Sequence, residues 1–535
     1  MTWKMSLLLA GLGLVAAMFV AAFQPTPGYM DADYYYAGGR TLATGHGFTD
    51  MVLWNYLDNP TGLPHPSNAY WMPLASLLAA AGAVLFGPSS WIAARVGFLA
   101  VAAALPPLTA ALAWSISARR DLAITSGLLA VFPAFYLPFL PVTDTFGLYM
   151  LLGGLFFLLL SRSLVNTTHR AWLISAFLLG IISGLMHLSR ADGILWFILA
   201  IIAVLYFRKP DQSRISILYS LGCVLLGYLL VMGPWFARNI SAFGTLLAPG
   251  GTKMLWLSSY DQLFAFPASQ LTFASWWHSG LAAILEARVM SLGLNLATTL
   301  SVQAEVFLLP LIALGFWYMR KDKRIQLATL AWLLTLGAMT VIFPFAGARG
   351  GFFHSGAALQ TVWWVLAPVG LERVMQWGSR KRGWNAPQAR TVFQIGLIGL
   401  AVLLTAVIIW TRVIGGNSSF AINQSSGQGW GLENDAYSHI NKYLVTQGAA
   451  TTDTIMVADP PGFFLASGNP SIAVPDGNVN TVLAAARKYH AVYLVLEEGS
   501  VPTGLLPVYE NPGDQMSLTY LGEIEHARIF RIRDQ

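Results

Sequence analysis

Long apolar runs, many of them about 20 residues in length, recur along this chain, and they limit its fold more than any other feature. They fall near 4–23, 91–114, 122–140, 145–160, 171–187, 193–207, 215–233, 300–319, 325–345, 356–370 and 391–411, with one more over 70–86. In lipid a backbone must satisfy its own hydrogen bonds, so such runs cross as helices. The expected fold is a polytopic α-helical membrane protein with about eleven transmembrane helices and a juxtamembrane helix. Charge agrees: Asp, Glu, Lys and Arg make up only 10% of the chain, against about 25% in an ordinary soluble domain.

Basic residues orient the bundle. The first run, "MSLLLAGLGLVAAMFVAAF", exceeds the apolar core of a typical signal peptide and reads as an uncleaved helix. With Lys4 inside and 70–86 lying along the outer surface, the inner loops gather Arg119 and Arg120, Arg162 and Arg170, Arg320, Lys321, Lys323 and Arg324, then Arg380, Lys381, Arg382 and Arg390. The outer loops hold fewer cations. Letting 70–86 cross would reverse that bias, so the positive-inside rule favours the first arrangement, with the N-terminus inside. An Ala-rich helix lying in the interface suits 70–86.

Two units follow. Residues 1–412 form the membrane domain, with large outer loops over 24–90 and 234–299. Residues 413–535 form a soluble outer α/β domain, which opens on a Gly/Ser linker, "GGNSSFAINQSSGQGWG". "TIMVAD", "SIAVPD" and "AVYLVLE" read as strands, "ENDAYSHINKYLVTQ" and "NVNTVLAAARKYH" as helices, and "LTYLGEIEHARIFRIR" as a hairpin. The domain has no Gly-rich phosphate loop. The net charge of +6 comes without a basic tract or repeat in a soluble region, and membrane topology accounts for it, which argues against a nucleic-acid partner. Cys223, the single cysteine, excludes an intrachain disulfide and a CxxC site.

Ionisable groups at a membrane surface are functional candidates by default, and here they collect on the outer side. Asp31 and Asp33 open the first loop in "MDADYYYAGGR"; His65 lies in "PHPSNAYW", Asp144 in "PVTDTFGLY", Arg190 and Asp192 in "HLSRADG", Arg238 in "PWFARN", and Arg349 and His354 in "GARGGFFHSG". Each has a structural reading as well. The aspartates can cap helices, Arg190 and Asp192 can pair locally, and His187 can be a packed core residue. Tyr34, Tyr35 and Tyr36 suit either an interfacial aromatic belt or the wall of a sugar site. Taken together, a carboxylate is placed to deprotonate an acceptor hydroxyl, and arginines are placed to hold a phosphate.

The order of these features resembles the GT-C superfamily of integral-membrane glycosyltransferases, in the branch of protein O-mannosyltransferases and lipid A aminoarabinose transferases. The resemblance spans the D-x-D motif and tyrosines, "RTLATGHGF", the "HP…YW" stretch, a helix ending "LFG", "ARVGFLA", and a second acid after the third span. It implies Asp31 as catalytic base, Asp33 as its acidic neighbour, Asp144 as the second acid, and His65 near the donor phosphate. Arg349 falls where relatives carry an R-Y pair. The resemblance also implies an inverting transfer of one sugar from a polyprenyl-phosphate donor to a lipid, glycan or protein acceptor at the outer face of the cytoplasmic membrane. No cofactor is demanded, although Asp31, Asp33 and Asp144 can offer hard oxygen ligands to Mg2+ or Mn2+. The chain has no WWDYG-like stretch, which argues against whole-glycan transfer to asparagine. Two other readings are a transporter or flippase for lipid-linked or small polar solutes, and a non-catalytic relative that binds lipid-linked sugar. A transporter should show midplane charges and internal repeats; here the acids lie at the rim.

Overall fold

The computed structural model describes residues 2–165, 168–208, 213–415, 430–513 and 517–533. The Gly/Ser segment expected as a linker falls, over 416–429, outside the described residues. Among the described residues, seven helices are long and apolar enough to cross a membrane: Trp3–Ala21 (α1), Trp91–Ser117, His169–Ser189, Arg214–Phe243, Leu281–Gln303, Lys323–Ile342 and Ala386–Ile414. Four shorter apolar helices accompany them: Leu74–Phe86, Phe146–Arg162, Ala191–Tyr206 and Leu309–Met319. A further helix, Gln360–Arg382, runs through the centre of the bundle, with Trp364, Leu366 and Ala367 wholly buried.

Local chemistry explains where the elements depart from the apolar pattern. The run over 122–140 is not one helix. An α-helix covers Arg120–Val131 and a short 3-10 helix covers Ala134–Phe139. Pro133 and Pro138 flank and interrupt the second piece, and neither can donate a helical hydrogen bond. Residues 281–298, expected inside an outer loop, form a helix. Glu286 and Arg288 had broken the apolar run, but they stand on a helix that is otherwise Leu- and Ala-rich. Close helix crossings rest on glycine: a Cβ on Gly180 would lie 2.1 Å from the Val224 carbonyl oxygen, and one on Gly227 would lie 2.2 Å from that of Phe177. Small residues of this kind let two membrane helices approach backbone to backbone.

At the end of the bundle that carries the long loops, helix α2 (Met30–Ala43) follows α1 after a short turn, and α3 (Leu74–Phe86) packs across it. Strands β1 (Thr49–Asp50), β2 (Val52–Leu53) and β3 (His65–Pro66) lie between them. The C-terminal residues supply β4 (Thr454–Val457), β5 (Ser471–Ala473), β6 (Ala491–Glu497), β7 (Leu518–Ile524) and β8 (Ala527–Ile532), with helices Leu432–Thr446, Pro460–Ser467 and Val479–Tyr489. The α/β region read from the sequence is therefore present. Its sheet runs β2-β5-β4-β6-β8-β7. The edge strand comes from the first loop: β2 pairs parallel to β5, Val52 opposite Ser471 and Leu53 opposite Ile472. The C-terminal region and the first loop thus share one sheet.

Candidate active site

Helix α2 begins at Met30, with Tyr29 in extended conformation as its N-cap and no side-chain capping bond. Asp31 and Asp33 are therefore not caps. Two positions apart on a helix, they point about 200° from one another around the axis. Asp31 turns toward Asp144 and His354: the His354 Nε2 lies 3.5 Å from Asp31 Oδ2, and its Nδ1 lies 3.5 Å from Asp144 Oδ1. One ligand atom from each of the three residues lies within 4.8 Å of the others.

Each member is fixed from outside the cluster. Asp144 precedes the helix Phe146–Val165, and its Oδ1 accepts from the Thr145 backbone N–H and from Thr145 Oγ1. Its Oδ2 accepts from Tyr29 Oη at 2.5 Å. Thr143 Oγ1 donates to the Ala32 carbonyl at 2.7 Å, which ties this loop to the first turn of α2. His354 stacks on Phe146 with centroids 3.8 Å apart. Gly350, at φ +109°, turns the chain between Arg349 and His354, a conformation that favours glycine. Burial, then the neighbouring Asp144 charge, pushes the Asp31 carboxyl above the ordinary carboxylate range, while Arg190 opposes this. Burial raises Asp144 too, against the hydrogen bonds from Tyr29 and Thr145.

Arg190 supplies the positive charge. Its Nε donates to Asp192 Oδ1 at 2.9 Å, the local pair considered above, and its field reaches Asp31, Asp144 and Tyr35. Arg349 lies over the Tyr260 ring at 4.3 Å, and Tyr260 in turn feels the Asp31 charge. The structure therefore gathers Asp31, Asp144, Arg190 and His354, with Tyr35 and Arg349 nearby.

Other candidates lie elsewhere. Asp33, 6% exposed, faces the C-terminal region, where Glu433 and Asp459 surround it; burial and then Glu433 push its carboxyl up. His65 bonds Asp58 at 2.6 Å and, with Asp50, lines a separate small cavity beside Trp54 and Tyr70. Arg238 Nη2 donates to the Ser67 carbonyl at 2.6 Å, so this arginine braces the first loop. Tyr34 donates to Asp50 and Tyr36 to the Ser89 carbonyl. His187 is packed against Tyr228. The sequence reading missed Tyr29, although it stands two residues before Asp31; only its partner, over a hundred residues away, reveals its use. Tyr260 carried no local signal at all.

The Asp50 carboxyl is raised by burial to about 7, against the hydrogen bond from Tyr34 and the charges of His65 and Arg238. Because the folded value lies above the unfolded one, its contribution to stability is full below about pH 4 and is lost as pH rises through about 7. Asp50→Asn is expected to flatten the fall in melting temperature between about pH 4 and 7. An unchanged slope would assign that fall to other groups.

No family model matches the chain, and no curated protein matches it by sequence. Solved structures do match. ArnT from Cupriavidus metallidurans in the apo state aligns at 10% identity and TM-score 0.55, covering 98% of this chain and 97% of that one. The archaeal oligosaccharyltransferase AglB from Archaeoglobus fulgidus, in complex with an inhibitory peptide and a dolichol-phosphate, aligns at 13% identity and TM-score 0.52, covering 92% and 70%. The Archaeoglobus fulgidus oligosaccharyltransferase with Zn and sulfate aligns at 12% and TM-score 0.50, covering 90% and 67%. At such identities the likeness is one of fold. The chain has the fold of these solved membrane proteins.

Proposed function

We propose that this protein is an inverting glycosyltransferase that moves one sugar from a polyprenyl-phosphate donor to an acceptor hydroxyl at the outer face of the cytoplasmic membrane. The observation that carries the reading is the convergence of Asp31, Asp144 and His354 beside Arg190, within a GT-C fold. Asp31 takes the acceptor proton as the acceptor oxygen attacks the anomeric carbon from the face opposite the phosphate. The bond from that carbon to the phosphate oxygen breaks, and Arg190, with Arg349 at the rim, holds the departing phosphate. One displacement inverts the centre, so no second carboxylate is needed as nucleophile. Asp144 and His354 keep the base aligned.

Two carboxylates and an imidazole within 4.8 Å fit a divalent cation such as Mg2+ or Mn2+. Bound there, the ion would supply charge against the leaving phosphate. Asp33 does not belong to that ligand set, because α2 turns it away.

The reading is tested by incubating the purified protein with a panel of polyprenyl-phosphate sugars, with and without added divalent ions, and following donor consumption. A donor consumed with release of polyprenyl phosphate supports it, and transport of intact donor without bond cleavage would sink it. Arg190→Ala is expected to weaken donor binding by about 10- to 100-fold, the scale of a lost charge-assisted hydrogen bond. Arg349→Ala should cost less, because its guanidinium already rests on Tyr260. Unchanged donor affinity in Arg190→Ala would leave the residue as the structural partner of Asp192.

A further inference from the structure

The stretch before α2 is clamped by a residue from the far end of the chain. Trp430 stands one residue before Gly431, the N-cap of the helix Leu432–Thr446, and its Nε1 donates to the Thr26 carbonyl at 3.0 Å. Its ring meets the Tyr29 ring edge-on, 6.0 Å between centroids at 87°, and approaches Phe139 at 6.2 Å. Two glycines leave room for this contact. A Cβ on Gly28 would lie 2.3 Å from Trp430 Nε1, and one on Gly431 would lie 2.7 Å from Thr26 Oγ1; both glycines have positive φ, +91° and +90°.

Tyr29 is thus held between Phe139, 5.6 Å away at 84°, and Trp430. Held there, its hydroxyl donates to Asp144 Oδ2 at 2.5 Å. Phe139 continues the contact into the site, since it packs on Phe146 at 5.1 Å and Phe146 stacks on His354. Asp144 is thereby braced from two directions by rings that share Trp430 as an outer wall. Aromatic pairs of this edge-to-face kind have a defined geometry, so removing one ring releases the orientation of the next.

We infer that Trp430 is a positioning residue: it fixes the Tyr29 hydroxyl on Asp144 and so couples the seating of the C-terminal region to the alignment of Asp31, Asp144 and His354. The inference rests on the transfer reaction proposed above. It gives the C-terminal region a part in the reaction itself, through a contact that nothing in its own α/β topology suggests.

A double-mutant cycle on the full-length protein tests it. Trp430→Ala and Tyr29→Phe should each lower kcat about 10-fold while the KM for the donor changes less than about 2-fold, since a misaligned group costs rate before binding. The double variant should be no slower than about 10- to 20-fold. If Trp430 merely supports folding, the losses multiply to about 100-fold, and that overturns the inference. Should Trp430→Ala fail to fold, Trp430→Leu keeps bulk without the ring edge and carries the same cycle. Asp31→Asn, assayed alongside, separates the two failures. Retained turnover in Asp31→Asn overturns the transfer mechanism, whereas a multiplicative cycle with an inactive Asp31→Asn overturns the role of Trp430.

Discussion

Asp31→Asn is expected to lower turnover by about a thousandfold, within the range a positioned general base contributes, while donor affinity stays within about threefold of wild type. Asparagine keeps the volume and one acceptor oxygen but cannot take the acceptor proton. The Asp31 side chain is about one-third exposed, whereas that of Asp144 is wholly buried and engaged by Tyr29 and Thr145, so Asp31 is the carboxylate that an acceptor can reach. Asp33→Asn supplies the internal contrast. Its side chain lies on the opposite face of α2 among Glu433 and Asp459, so turnover should change by no more than a few-fold. Single-turnover assays with a polyprenyl-phosphate sugar, paired with equilibrium donor binding, read both quantities. Near-wild-type turnover in Asp31→Asn together with loss in Asp33→Asn would move the base to the other aspartate and require α2 to rotate during catalysis.

That contrast shows what the sequence could and could not convey. The apolar runs, the loop-bearing end and the pair Asp31 and Asp144 were legible because lipid imposes length and composition directly on a helix. The divergence of Asp31 from Asp33 was not, because it depends on α2 starting at Met30, ahead of both aspartates, instead of after one of them as a cap would require. His354 reaches Asp144 only because Gly350 redirects the chain, so the pairing is a property of the whole bundle and not of any window. The strands after residue 453 were readable from β-rich runs between turn residues, yet the partner of β5 was not. Val52 and Leu53 form a two-residue strand, too short to leave a pattern. The helix over 281–298 was hidden for the opposite reason, since two charges, Glu286 exposed and Arg288 half-buried, interrupted a run that a helix accommodates.

A protein ending at residue 415 should have no turnover above that of Asp31→Asn, and its first loop should lose order. The reason is packing, independent of any catalytic residue in the removed part. Leu53 and Tyr56 belong to the same buried cluster as Ile472, Val482, Leu494 and Phe530. Tyr56 Oη donates to the Ala473 carbonyl, and the Tyr56 ring stacks on Tyr489 at 5.6 Å. Tyr489 Oη donates to the Pro60 carbonyl and Lys488 Nζ to Asn59 Oδ1, each at 3.0 Å. On the other side of the loop, Arg40 of α2 lies over the Phe464 ring at 5.5 Å. Returning Leu53 and Tyr56 to water would forfeit about 1.5–3 kcal/mol for each side chain, and the edge hydrogen bonds of β2 would be lost as well. Against a typical stability of about 5–15 kcal/mol, losses of that size release residues 49–60, and with them the setting of α2 that aims Asp31. The measurement is limited proteolysis of residues 49–60 in the truncated and full-length proteins, together with turnover. A truncated protein that resists cleavage there and turns over at the wild-type rate would show that the first loop folds on the bundle alone, and the shared sheet would then have no part in forming the site.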